Sequence, residues 1–194
     1  MRCIMSEKKI DRRALKTQKA LKEALAELLS EKKIQQITVQ EVADKADVHR
    51  VTFYKHYCDI YELYDQLKNE VLSDLGVLLI KFHENPSKDF GLELIDYIAA
   101  HPKYFKMIFS PHNTGELRVN FLTMVEGLFR LIQTEKNEVS FKDDKLDYLS
   151  AFWSCGCVAV IEKWVQKDFA QSKEFIIKTL SELDAHMEKY LAVQ

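Results

Sequence analysis

The sequence predicts an all-α protein of about nine helices, and three observations carry that expectation. Gly and Pro are scarce, 5 and 3 of 194 residues, too few for the turns of a many-stranded sandwich or barrel. Apolar residues recur at the helical period, and no strand-like alternation rises above it. Hydrophobic residues make up 47% and charged residues 30%, the balance of a globular chain rather than a disordered one.

The elements follow in order. Leu21, Ala24, Leu25, Leu28 and Leu29 fall at i, i+3, i+4, i+7 and i+8, one face of a helix from about Asp11 to Glu31. The polar run Glu31-Lys32-Lys33 ends it. Thr38-Val-Gln-Glu41 is a capping box: the Thr hydroxyl accepts from the third helical amide, and the Glu carboxylate reaches back to the cap amide. Ile37 and Val42 sit where a hydrophobic staple would pair them, and Val42, Ala43 and Ala46 mark a very short helix. Asp47-Val48 interrupts it. A second short helix covers about His49 to Lys55, with Val48 and Phe53 as its staple. Asp59-Ile-Tyr-Glu62 opens a long helix through Leu63, Leu67, Val71 and Leu75. Further helices are expected at 87–100, 103–109, 115–133, 144–168 and 172–191. The breaks fall at Asn85-Pro86, His101-Pro102, 110–115 and 134–143, and Ser172 is the expected cap of the last helix.

Several classes are excluded or disfavoured. The N-terminus lacks the apolar run of a secretory signal. The most apolar stretch, Leu72 to Phe82, is broken by Asp74 and Lys81 and is far shorter than the ~20 residues of a membrane span. No GxGxxG or GxxxxGK[ST] phosphate loop occurs. No acid, base or nucleophile set converges, so no enzyme activity and no catalytic residue is expected. The cysteines, at 3, 58, 155 and 157, lack zinc-site spacing, so no metal or cofactor is expected; the chain reads as cytoplasmic with reduced thiols. On a helix, Cys155 and Cys157 point apart; Cys58 lies beside a helix start, whose dipole can lower a thiol's pKa, but a passive role is the plainer reading.

The net charge of −2 conceals an asymmetry: residues 1–57 carry +5 and the remainder −7. A basic leading segment suits a polyanion. Two short helices joined by a tight turn within it have the outline of a helix-turn-helix, whose second helix presents side chains to base edges in the major groove. The residues sharpen this outline. Ile37-Thr-Val-Gln-Glu-Val-Ala43, then Ala46-Asp-Val-His-Arg-Val-Thr-Phe-Tyr-Lys-His-Tyr57 and Leu63, closely resemble the signature of the tetracycline-repressor (TetR) family, with Thr52, Tyr54, His56 and Tyr57 in its spacing.

The resemblance implies a three-helix DNA-binding domain, placed at 1–57, and a helical dimerisation and regulatory domain at 58–194. It implies a homodimeric, sequence-specific repressor of a pseudo-palindromic double-stranded DNA operator, controlled by a small effector. The alternative is a regulator, whether repressor or activator, whose C-terminal part docks a partner protein. Thr38, Thr52, Tyr54 and His56 would position the protein on phosphates and Lys55 would add a phosphate contact. Arg50 and Val51 would read base edges, chemistry that suits guanine and the thymine methyl. Three residues depart from the family pattern. Asp47 replaces Gly, so the turn is expected to demand a positive φ of a non-glycine residue. His49 replaces Ser, which is expected to cost the second helix its N-cap while offering a DNA contact. Ile60 replaces a common Lys.

The C-terminal part is less diagnostic. Met107, Phe121, Met124, Tyr148, Phe152 and Trp153 are candidates for an effector pocket, against the plainer reading that they are core. Cys155, Gly156, Ala159 and Trp164 are candidates for the dimer interface, where Gly156 would permit close helix approach. The pattern Phe152-Trp-x-x-Gly156 through Trp164, with His101-Pro102 and Phe105, also resembles a subgroup related to dihydroxyacetone-kinase operon regulators, some of which answer to a protein partner.

Overall fold

The computed structural model describes residues 12–84, 90–137 and 144–192. Within them the chain forms nine α-helices: α1 (Arg12–Glu31), α2 (Val39–Lys45), α3 (Arg50–Tyr54), α4 (Ile60–Glu84), α5 (Phe90–Ala100), α6 (Pro102–Ile108), α7 (Glu116–Asn137), α8 (Asp144–Gln166) and α9 (Lys173–Ala192). A single 3-10 turn, Ile34–Gln36, lies in the link after α1, where the sequence suggested only a polar break. The break expected at Asn85-Pro86 lies outside the described residues. The one expected at 134–143 does so in part, because α7 continues to Asn137. Helix α8 stops at Gln166, two residues before its expected end.

The periodic apolar positions form the core. Leu21, Leu25 and Leu29 on α1 are fully buried, as are Leu63, Leu67, Val71 and Leu75 at every fourth position of α4. One continuous apolar cluster runs from these residues to Val158, Trp164 and Ile176 on α8 and α9. The short helix α6 joins the two ends of the molecule. It packs against α1 on one side and α8 on the other. Pro102 opens it at a position where the missing amide costs no helical bond. Tyr104, Phe105, Met107 and Ile108 are all buried, while Pro102 and Lys103 at its start face solvent.

Ion pairs reinforce the α1 junction. Lys103 on α6 reaches Glu27 at 3.3 Å and Glu23 at 3.6 Å, and Lys45 on α2 meets Glu27 at 3.0 Å. The hydrogen bond from Lys45 holds the Glu27 carboxyl below its ordinary pKa, against the opposing effect of burial. Lys22 pairs with Glu70 on α4, and the Ser110 hydroxyl donates to the Ser30 carbonyl at 3.2 Å.

At the far end, α8 closes on two left-handed residues, Asp168 (φ 53°) and Phe169 (φ 57°). Trp164 organises that turn. Its indole N–H donates to the Gln171 carbonyl at 2.8 Å, and the Phe169 ring meets it edge-on at 4.9 Å. Ser172 caps α9 by accepting from the Phe175 amide at 3.2 Å, as its place in the sequence implied.

Candidate nucleic-acid interface

Helix α2 is built by the capping box its sequence spells. The Thr38 hydroxyl accepts from the Glu41 amide at 3.3 Å, and the Glu41 carboxylate accepts from the Thr38 amide at 2.9 Å. Lys32 pairs with that carboxylate, and its hydrogen bond, with those from Thr38, lowers the Glu41 pKa to about 2. Ile37 and Val42, the expected staple, are both buried. The helix ends in two bonds of the Schellman pattern: Val48 N–H to the Ala43 carbonyl at 3.0 Å, and Asp47 N–H to the Asp44 carbonyl at 3.1 Å. This geometry puts Asp47 at φ 55°, the positive value the sequence implied for a position usually given to Gly.

His49 is the N-cap of α3, contrary to the expectation that its replacing Ser costs the helix its cap. The helix does not lose its cap. The His49 Nδ1 atom accepts from the Val51 amide at 3.2 Å, doing the work of the missing Ser hydroxyl. With Nδ1 accepting from the helix, Nε2 is the ring nitrogen left to act as a donor. Phe53 is fully buried and packs on the Tyr57 ring at 5.6 Å, which fixes the inner face of α3. Tyr57 is buried, and its hydroxyl has no hydrogen-bond partner among the described residues; burial, with nearby Glu70 and Glu62, raises its pKa to about 12.

The outer face is therefore set. His49, Arg50, Val51, Tyr54 and Lys55 are exposed, Val51 to 58% and Tyr54 to 48%. A solvent-facing Val beside a solvent-facing Tyr is poor chemistry for a free surface and good chemistry for base edges and sugars. Arg50 lies along this face: its Nη2 donates to the Tyr54 hydroxyl at 3.1 Å, and its guanidinium carbon stands 5.5 Å from the Tyr54 ring centroid. Thr52 and His56 are half-buried at its flanks. Thr38 is exposed on the preceding turn, but its hydroxyl also donates to Glu41 at 3.0 Å and so serves the cap first. The His49 cap and the Arg50–Tyr54 contact were missed from sequence. The i, i+4 spacing of Arg and Tyr was the signal available for the second.

Asp59 and Glu62 start α4 as expected, with one shift. The Asp59 carboxylate accepts from the Glu62 amide at 2.8 Å, while Glu62 reaches past the cap to the Cys58 amide at 2.6 Å. That carboxylate, by hydrogen bond and charge, raises the Cys58 pKa, against the lowering a helix start alone would give. Ile60 is buried under the first turn, so it serves the core where a Lys would face solvent.

The other candidates scatter. Met107 and Phe121 are core residues, Met124 is half-buried, and Tyr148 and Phe152 stand 79% and 71% exposed on α8. Trp153 is stacked on Phe129 at 4.8 Å and donates to Asp184 at 3.0 Å. None of the six lines a 340 Å³ cleft bounded by Ile34, Tyr64, His112 and Asn113 or a 530 Å³ groove bounded by Val160, Lys163, Trp164 and Phe175. Cys155, Gly156 and Ala159 are exposed on α8, whereas Trp164 is buried in the turn described above. A Cβ at Gly156 would meet nothing within 4 Å, so among the described residues no neighbour explains the glycine. Cys157 faces inward, and burial raises its thiol to about 12.

Among the described residues no group of His, Cys, Asp and Glu could hold a metal ion, and no helix is long and apolar enough to cross a membrane. Residues 85–184 match the TetR-type family of transcriptional-regulator C-terminal regions (TetR_C_8). The chain belongs to the TetR family of transcriptional regulators. The uncharacterized HTH-type transcriptional regulator YxbF of Bacillus subtilis (strain 168) is 25% identical over 177 residues, 88% of this chain and 45% of that protein. The chain thus spans less than half the length of that relative. Two solved structures share the TetR fold. A transcriptional regulator of the TerR/AcrR family from Aquifex aeolicus VF5 superposes with a TM-score of 0.65 at 13% identity, covering 88% of this chain and 99% of that one. The dihydroxyacetone kinase operon activator DhaS gives 0.59 at 19% identity, covering 90% and 97%.

Proposed function

We propose that the protein is a homodimeric, sequence-specific repressor of the TetR type, acting in the cytoplasm. Residues 1–57 form its DNA-binding domain and 58–194 its dimerisation and regulatory domain. The observation that carries the reading is the exposed face of α3, where Arg50, Val51 and Tyr54 stand together on a helix locked from behind by Phe53. Arg50 and Val51 read base edges. Thr38, Thr52, Tyr54, Lys55 and His56 hold phosphates, and His49 offers its Nε2–H beside them. Two copies would place their α3 helices in successive major grooves of a pseudo-palindromic operator.

The outer face of α8 supports dimerisation. Tyr148, Phe152, Cys155, Gly156 and Ala159 form an exposed stripe at helical spacing, with Phe175 and Leu183 exposed on α9. Apolar surface of this kind marks an interface. A second reading, in which the C-terminal half docks a partner protein in place of a small effector, gains support from Tyr148 and Phe152, which offer an exposed apolar surface to another protein.

The deciding experiment is selection of bound duplexes from a random DNA pool by the purified protein, repeated over a salt series. Enrichment of a pseudo-palindrome, with affinity falling steeply as salt rises, is the expected result. Salt-sensitive binding without any enriched sequence removes the claim of sequence specificity.

A further inference from the structure

We propose that Tyr54 is a positioning residue for Arg50, so that the two read one guanine and grip one phosphate as a coupled unit; this rests on the assignment of α3 as the DNA-reading helix. The two residues lie four apart and so on the same side of α3. Tyr54 is anchored first. Its ring meets Phe53 edge-on at 5.6 Å with planes at 81°, and Phe53 is fully buried. Arg50 is then anchored to Tyr54 twice, by the 3.1 Å bond from Nη2 to the phenol oxygen and by the guanidinium carbon 5.5 Å from the ring centroid. A long, exposed side chain that would otherwise sample many rotamers is thus held along the outer face before DNA arrives.

The donor inventory makes the arrangement productive. A phenol hydroxyl can accept one hydrogen bond and still donate its own proton. With Arg50 donating to it, the Tyr54 O–H remains free for a phosphate oxygen. Arg50 spends one N–H on Tyr54 and keeps enough for the two-bond fork to guanine O6 and N7. Among the described residues no carboxylate pairs with the guanidinium, so its charge is available to DNA. Donation from a cation also polarises the phenol, which strengthens the bond Tyr54 gives onward. The phosphate contact and the base contact therefore reinforce each other, and a residue that touches only the backbone acquires a share in sequence discrimination.

The test uses the full chain, the operator obtained by selection, the same operator altered one base pair at a time, and an unrelated duplex. Arg50→Ala, Tyr54→Phe and the double variant are compared with the wild type, with melting curves confirming that each is folded. Tyr54→Phe should lose on the order of tenfold of discrimination at the one base pair whose preference Arg50→Ala abolishes, because it removes a charge-assisted bond while keeping the ring. The double variant should discriminate there no worse than Arg50→Ala alone. An equal loss by Tyr54→Phe on every duplex, with discrimination intact, reduces Tyr54 to a phosphate contact and overturns the proposal, as do losses that multiply independently in the double variant. Unchanged discrimination in Arg50→Ala, or a wild type without base preference, is a separate failure: it removes the base-reading assignment itself and the coupling with it.

Discussion

In the helix-turn-helix every element is closed by groups adjacent in sequence. Thr38 and Glu41 cap α2, the Ala43 and Asp44 carbonyls end it, and His49 caps α3. The α8–α9 end is closed locally too, by the Ser172 cap and the turn at Trp164, but it adds long-range ties. Trp153 donates to Asp184, Arg118 on α7 holds Glu162 at 2.9 Å, and Lys173 pairs with Asp96 on α5. The outward faces differ as well. Helix α3 exposes Arg50, Val51, Tyr54 and Lys55, whereas α8 exposes Tyr148 and Phe152 with small residues between and after them. The first face gains from a polyanion, which adds charge and hydrogen bonds. The second gains only from exclusion of water, which another protein surface supplies.

The largest effect expected from this contrast comes from making the α8 face polar. Tyr148→Ser with Phe152→Ser should weaken a dimer by at least about 2 kcal/mol, on the order of thirtyfold in its dissociation constant. The fold should survive, since both side chains are already exposed. Sedimentation equilibrium of the variant against wild type measures it, with circular dichroism as the check on folding. An unchanged association constant would mean that the stripe is not where two copies meet.

The same contrast explains what could be read from sequence. The N-terminal end was legible because each signal and its effect lie within a few residues: a box, a staple, a turn, a basic segment. Even there, His49 was misjudged, since its capping depends on which ring nitrogen faces the helix, a matter of χ angles rather than residue type. Helix positions in the C-terminal part were also legible, from Pro102, Ser172 and the apolar period. Which side of each helix would be covered was not. Phe121 and Phe152 are equally apolar, but one is core and the other stands open to solvent, and only the packing of α7 on α8 and α8 on α9 decides between them. Trp164 shows the same limit, because its partners are a carbonyl and a ring in a turn that exists only after α8 has ended.

A smaller effect tests whether the local logic of the head is as self-contained as it looks. Asp47 adopts φ 55° to close the Schellman turn. For an L-residue this costs roughly 1–2 kcal/mol, less for Asp than for most, and Gly escapes it at an entropic cost of roughly 0.5–1 kcal/mol. Asp47→Gly should therefore stabilise the protein by at most about 1 kcal/mol in denaturant melts, with operator affinity unchanged. Destabilisation would show that the Asp47 side chain contributes more than its backbone costs.

The smallest effect separates the two ends by pH. The Glu41 carboxyl has its pKa lowered from 4.5 to about 2, chiefly by Lys32 and then by the Thr38 amide and hydroxyl. The fold thus favours its ionised form. That contribution is fully present above pH 4.5 and is lost as the pH falls through about 2. Glu41→Gln removes the charge at every pH, so α2 in the variant should be weaker near neutrality and lose less than wild type across that window. Amide resonances of α2 report on the head. The fluorescence of Trp153 and Trp164, both on α8, reports on the other end alone. Wild-type α2 should loosen in acid in step with protonation of Glu41, and the variant should show a flatter profile there while its tryptophan signal tracks the wild type. Identical α2 profiles in the two proteins would show that the capping box, however well formed, does not set the acid stability of the reading head.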